Sequence, residues 1–242
     1  MAVQGIVGRE VELALLEQRL ASRHSFLLYG PAGVGKTALI RALLPEHPEI
    51  LYCPDSTCKK QVLGLLALRL SERDQSIAHL LAGPVAIRAK SAASLKGFLC
   101  DGLRAGKYWI VLDHLRMPSS AFAGDMKDIA GWAMTPVLGI ARSDHMEDIG
   151  FLRSLFLDRS ERLGLRNLDE AQAEELAKAV VESSGLTAAN LHEFVTRVVE
   201  VSNGNPGAII AMVEMARLPK YRSGGQVMLS PLYIDLRLQT GL

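Results

Sequence analysis

The chain is poor in the features that mark several protein classes. It has only three cysteines, Cys53, Cys58 and Cys100, in 242 residues. That is too few for a disulfide framework or a four-ligand zinc site, so reduced thiols in a cytoplasmic protein are expected. Charge of one sign is lacking too: 27 Lys and Arg against 26 Asp and Glu leave a net charge of +1. No global field therefore draws the protein to nucleic acid or to a membrane. Long apolar runs are missing. The clearest, Val62 to Leu68, is far too short to span a bilayer, and Met1-Ala2-Val3-Gln4-Gly5 shows no basic-then-apolar leader. Aromatics make up 5% of the chain, and Tyr108, Trp109 and Trp132 fall in core or helix contexts rather than in a base-stacking platform. No internal repeat or low-complexity stretch is visible. What remains is 49% hydrophobic and 22% charged, an ordinary folded composition with length enough for a sizeable core.

Against this plain background one segment stands out. Gly30-Pro31-Ala32-Gly33-Val34-Gly35-Lys36-Thr37 fits G-x-x-x-x-G-K-[ST], the phosphate-binding P-loop. Its glycines let the backbone curl around a phosphate. The loop amides and the helix that starts near Ala38 present fixed positive dipoles to the anion. Lys36 is expected to reach the β- and γ-phosphates of ATP, and the Thr37 hydroxyl to ligate Mg²⁺. Context supports the motif. Phe26-Leu27-Leu28-Tyr29 reads as a buried parallel strand, and Ala38 to Leu44 as a helix stopped by Pro45.

Further along, Arg9 to Ala21 reads as an amphipathic helix. Short strands are expected at Glu49–Tyr52, Tyr108–Leu112 and Pro136–Ala141, with a short edge strand at Arg162–Leu165. Residues 59–105 read as mostly helical, broken at Gly83-Pro84, with a helix from about Ser91 to Leu103. Strands alternating with helices imply a parallel sheet flanked by helices. Three helices follow: Asp169 to Ser184 and Thr187 to Val201, with Asp169 and Thr187 as N-caps, then Pro206 to Arg217 with proline in the first turn. The expected divisions are a core at 1–168, a helical lid at 169–218 and a C-terminal extension at 219–242. In the last, Val227 and Leu229, then Leu232, Ile234, Leu236 and Leu238, alternate as in extended structure.

A P-loop needs an acidic partner that holds Mg²⁺ through water. Asp113, closing the strand Trp109-Ile110-Val111-Leu112, fits. The next residue is His114, where hydrolytic members of this class place a carboxylate that orients the attacking water. Its imidazole either accepts the proton in that role or marks a site that turns ATP over slowly. Arg142 ends the following strand and is expected to sense the γ-phosphate, with Ser143 as the alternative.

Together these features resemble the AAA+ and STAND ATPases, in their initiator-like and transposition-regulator-like branch. The segment Ile6-Val7-Gly8-Arg9-Glu10-x-Glu12-x-x-x-Leu16 is similar to that family's Gly-Arg-Glu box, and the resemblance implies that Val7, Gly8 and Arg9 lie over the adenine. Asn203-Gly204-Asn205-Pro206-Gly207 resembles its G-x-P segment, which implies Pro206 near the nucleotide. The fold implied is an AAA+-like α/β P-loop NTPase with a five-stranded parallel sheet and a small C-terminal helical lid. Two departures matter: His114 replaces the usual acid, and Gly207 stands where many relatives carry a lid arginine. The family's arginine finger acts on a neighbouring subunit, and Arg153 or Arg159 is the candidate here.

The resemblance also implies ATP-dependent self-assembly into a homo-oligomer, often on duplex DNA. Lys59-Lys60, Arg69, Arg73, Arg88, Lys90 and Lys96 lend this modest support, although such residues also occur as solvated helix faces. The rival expectation is an ATP/ADP switch that acts on a separate protein partner without DNA. A small-molecule kinase is disfavoured by the Gly-Arg-Glu box and the three-helix lid.

Overall fold

The computed structural model describes residues 6–74, 84–105 and 107–240, which fall into two compact units. One comprises Leu15–Gly30 and Leu43–Leu165; the other comprises Met1–Ala14, Pro31–Ala42 and Arg166–Leu242. In chain order, helix α1 (Glu10–Ser22) is followed by β1 (Phe26–Tyr29), α2 (Lys36–Leu43), β2 (Ile50–Cys53), α3 (Lys59–Arg73), α4 (Pro84–Ala89) and α5 (Ala92–Gly102). Next come β3 (Trp109–Leu112), α6 (Ser120–Ala133), β4 (Val137–Ala141), α7 (Met146–Ile149) and β5 (Arg162–Gly164).

All five strands belong to the first unit and form one parallel sheet in the order β2-β3-β4-β1-β5. The expected edge strand at 162–165 is therefore present and lies at the edge. Strands β3 and β4 are buried along their whole length, as central strands covered on both faces must be. They are short apolar runs whose only regular backbone partners are each other and their neighbours. Helix α3 turns Val62, Leu63, Leu66, Ala67 and Leu70 into the core, joined by Leu95 and Leu99 of α5 and Phe122 and Met126 of α6. Phe26 and Trp109 meet edge-to-face with centroids 5.8 Å apart, a favoured aromatic geometry. The expected break at Gly83 lies outside the described residues, while Pro84 opens α4. Among the described residues no helix is long and apolar enough to cross a membrane.

The second unit is built on α8 (Glu170–Ser184), α9 (Leu191–Ser202) and α10 (Pro206–Ala216), then a two-stranded hairpin, β6 (Arg222–Ser223) and β7 (Gln226–Val227), and α11 (Leu229–Thr240). Asp169 caps α8 in a reciprocal box with Gln172, satisfying two otherwise orphaned amides. Val180, Phe194, Val198, Ile209, Val213 and Leu232 share its core.

Two expectations fail here. Thr187 does not cap a helix; α9 starts at Leu191. The intervening residues are held by the hairpin instead. The Ala189 amide donates to the Gly225 carbonyl, and the Asn190 side chain bonds both the amide and the carbonyl of Val227. The second failure is the C-terminal segment, which is a hairpin and a helix rather than extended structure. Leu232 and Leu236 are buried one helical turn apart, while Ile234 and Leu238 are exposed. The same leucine spacing serves period 2 and period 3.6, and the packing uses the latter.

Candidate nucleotide-binding site

Val7, Gly8, Arg9, Pro31 to Ala38 and Pro206 all belong to the helical unit, whereas Gly30, Asp113, His114, Arg142, Arg153 and Arg159 belong to the sheet unit. Within the helical unit, four successive P-loop carbonyls are each held by a different donor. The Lys36 ammonium donates to Pro31 O at 2.8 Å, Asn205 Nδ2 to Ala32 O at 2.9 Å, the Gly207 amide to Gly33 O at 2.9 Å, and an Arg9 guanidinium nitrogen to Val34 O at 3.0 Å.

This pattern has a chemical consequence. A trans peptide is planar, so its carbonyl and the following N–H point in opposite directions. Fixing Ala32 O aims the Gly33 N–H the opposite way, and fixing Val34 O does the same for the Gly35 N–H. Backbone amides oriented in this way are the kind of group that binds anions. Gly33 has φ +77°, and a Cβ there would lie 2.5 Å from Asn205 Oδ1, so only glycine fits. Gly207 is required for a different reason: its added Cβ would sit 2.8 Å from Gly33 Cα.

Arg9 is only 3% exposed. Besides Val34 O, its guanidinium reaches Arg166 O and Glu12 Oε1, each at 2.6 Å, while Nε finds no partner among the described residues. Its charge is thus used to brace backbone carbonyls. Val7 packs against the core of the helical unit. Pro206 is buried in the first turn of α10, and Asn205 caps that helix by accepting from the Ala208 amide.

In the sheet unit, β3 delivers Asp113 at its carboxyl end, 1% exposed. Its carboxylate accepts from the Tyr52 hydroxyl at 2.8 Å and from the His114 amide at 2.7 Å. His114 has φ +55°, a left-handed conformation that costs a non-glycine residue about 1 kcal/mol or more. Its Nδ1 stands 3.0 Å from Pro54 O. A carbonyl can only accept, so Nδ1 carries the hydrogen, and in the neutral ring Nε2 carries the lone pair. Pro54, Asp55, Thr57, His114 and Arg116 line a cavity of about 310 Å³ at this edge. The Thr57 hydroxyl and amide hold the Asp55 carboxyl below its usual range, helped by the charges of His114 and Arg116. Arg142, after β4, is exposed, as are Arg153 and Arg159. Ser143 donates to Asp148 at 2.6 Å. Tyr52, Pro54 O and Asn205 were not singled out by sequence. Only Asn205 carried a usable signal, a capping residue before a proline.

The donor types suit magnesium: a threonine hydroxyl and a carboxylate are hard oxygen ligands. Among the described residues no group of three His, Cys, Asp or Glu could hold a metal ion.

Sheet order, glycine loop and helical unit together define a P-loop nucleotide-binding fold. Residues 5–213 match the AAA ATPase domain, and the chain belongs to that family of AAA+ P-loop ATPases. Similar solved structures include a Walker-type ATPase of Pyrococcus abyssi, at 18% identity and TM-score 0.63, covering 98% of this chain and 74% of that one. The Orc1 protein of Aeropyrum pernix, solved in complex with DNA, has 17% identity and TM-score 0.61, covering 96% and 65%. A STAND protein with a tetratricopeptide repeat sensor from Pyrococcus horikoshii has 17% identity and TM-score 0.54, covering 96% of this chain but only 32% of its own. At such identities these likenesses establish the fold. No curated protein matches the chain.

Proposed function

We propose that the protein binds ATP with Mg²⁺, hydrolyses it slowly, and assembles with itself in an ATP-dependent way as a DNA-associated regulator. The observation that carries the nucleotide reading is the set of four successive carbonyls, Pro31 to Val34, each held by its own donor. Lys36 supplies the ammonium for the β- and γ-phosphates. Thr37 and Asp113 supply the oxygen donors for magnesium, which when bound would neutralise phosphate charge. His114 orients the attacking water through Nε2, and the imidazole in place of a carboxylate accounts for slow turnover. Arg142 senses the γ-phosphate, and Arg153 or Arg159 serves a neighbouring copy. In this scheme residues 1–168 are the core, 169–218 the lid and 219–242 an extension.

Binding of a fluorescent ATP analogue tests the reading. Lys36→Ala should abolish it; wild-type affinity in that variant would sink the assignment. Turnover measured with and without duplex DNA tests the regulator role, with DNA affinity expected to rise with ATP and to fall steeply with salt.

A second reading, an ATP/ADP switch for a protein partner, has its own support. Lys59 and Lys96 are paired to Asp125, with Lys96 also on Asp128, and Arg69 to Glu72. Arg73 is spent on the Pro48 and Ile50 carbonyls. Lys59, Lys96 and Arg69 thus already have carboxylate partners, and the Arg73 guanidinium, though still charged, is committed to backbone. DNA binding that ignores ATP, or none at low salt, would favour this reading.

A further inference from the structure

We infer that Asn205 is a positioning residue for the phosphate loop, and that it links the state of that loop to helix α10. The inference rests on the nucleotide reading above. Its basis is that one side-chain amide is held at both ends. Oδ1 accepts from the Ala208 amide at 3.1 Å and so caps α10. Nδ2 donates to Ala32 O at 2.9 Å and lies 3.4 Å from Asn167 Oδ1. The first bond belongs to the helix and the second to the loop.

Both polar atoms of one rigid, planar amide are therefore committed, so α10 and the peptide joining Ala32 to Gly33 share an orientation. A second tie runs beside it, from the Gly207 amide to Gly33 O. Contact is close enough that a Cβ on either Gly33 or Gly207 would be rejected. An anion taken up by the Gly33 N–H pulls on the peptide whose carbonyl Asn205 holds. That pull is transmitted to the first turn of α10 without any charged side chain.

The cap and the tether can be separated. Asn205→Ser keeps an oxygen able to cap the helix but has no amide to reach Ala32 O. Asn205→Asp also keeps the cap and turns a carboxylate oxygen toward that carbonyl. Both variants should melt close to wild type. Affinity for a fluorescent ATP analogue should fall about three- to tenfold in Asn205→Ser, the worth of one hydrogen bond, and further in Asn205→Asp. Amide hydrogen exchange supplies the readout that capping alone would not move. In wild type the analogue should slow exchange in both the loop and α10; in Asn205→Ser the loop should still respond and α10 should not. Wild-type binding combined with an unchanged affinity and exchange pattern in Asn205→Ser overturns this inference alone. No binding by the wild type overturns the nucleotide reading and this inference with it.

Discussion

The phosphate loop and the Asp113 edge are held in place in different ways. The loop is a contiguous motif, yet three of the four donors that hold its carbonyls come from outside it: Arg9, Asn205 and Gly207. At the Asp113 edge the carboxylate is oriented by the neighbouring strand and the next residue, through the Tyr52 hydroxyl and the His114 amide, while the Pro54 carbonyl holds the His114 ring. In the loop, backbone does the work and side chains aim it. At the edge, side chains are the working groups. Substitutions should therefore act differently in the two places, the first through shape and the second through the loss of single bonds.

The sharpest break in that contrast is Gly33→Ala. It places a Cβ at a position with φ +77° and 2.5 Å from Asn205 Oδ1. Strain and overlap together should cost about 2–5 kcal/mol, so affinity for an ATP analogue should fall on the order of 100-fold or more. Calorimetric titration measures it, and near-normal affinity would mean that loop shape is not what binds. Tyr52→Phe should do less. It removes one hydroxyl from a buried carboxylate that keeps the His114 amide, costing about 1.5–3 kcal/mol in denaturant unfolding. It should also shift the Mg²⁺ dependence of analogue binding more than binding without Mg²⁺. A uniform loss in both would make Tyr52 a packing residue.

The smallest effect comes from the sheet unit away from the edge. His47 bridges Glu17 at 2.9 Å and Glu49 at 2.7 Å. Burial pushes its pKa down, but the bonds to Glu49 and Glu17 outweigh this, and the net shift is upward from 6.5. The charged ring is favoured in the folded state. Its contribution is therefore full below about pH 6.5 and fades as pH rises through the raised folded value. With both carboxylates partly exposed, the term should stay under about 1 kcal/mol. His47→Gln should flatten that part of the stability–pH curve; an unchanged slope would show that the bridge carries no net stability.

How much of this was legible in the sequence follows the range of the interactions. The P-loop, the Asp113 strand and the sheet strands announce themselves through local runs of residues, and the strands formed within a residue or so of their expected ends. Thr187 failed as a cap because Ala189 and Asn190 are held by a hairpin more than thirty positions later, a competition that capping preference does not register. Leu232 and Leu236 misled because their spacing fits two periods. Tyr52 was invisible for a related reason: a tyrosine in a strand reads as β-propensity, and only pairing of β2 with β3 brings its hydroxyl to Asp113.

His114 carries a tension of another kind. Its left-handed backbone would suit glycine or asparagine better. His114→Gly should relieve that backbone strain while removing the imidazole from the end of β3. Relief of strain and retention of the imidazole thus pull this one position in opposite directions, and a library scored separately for folding and for turnover tests whether the two separate there.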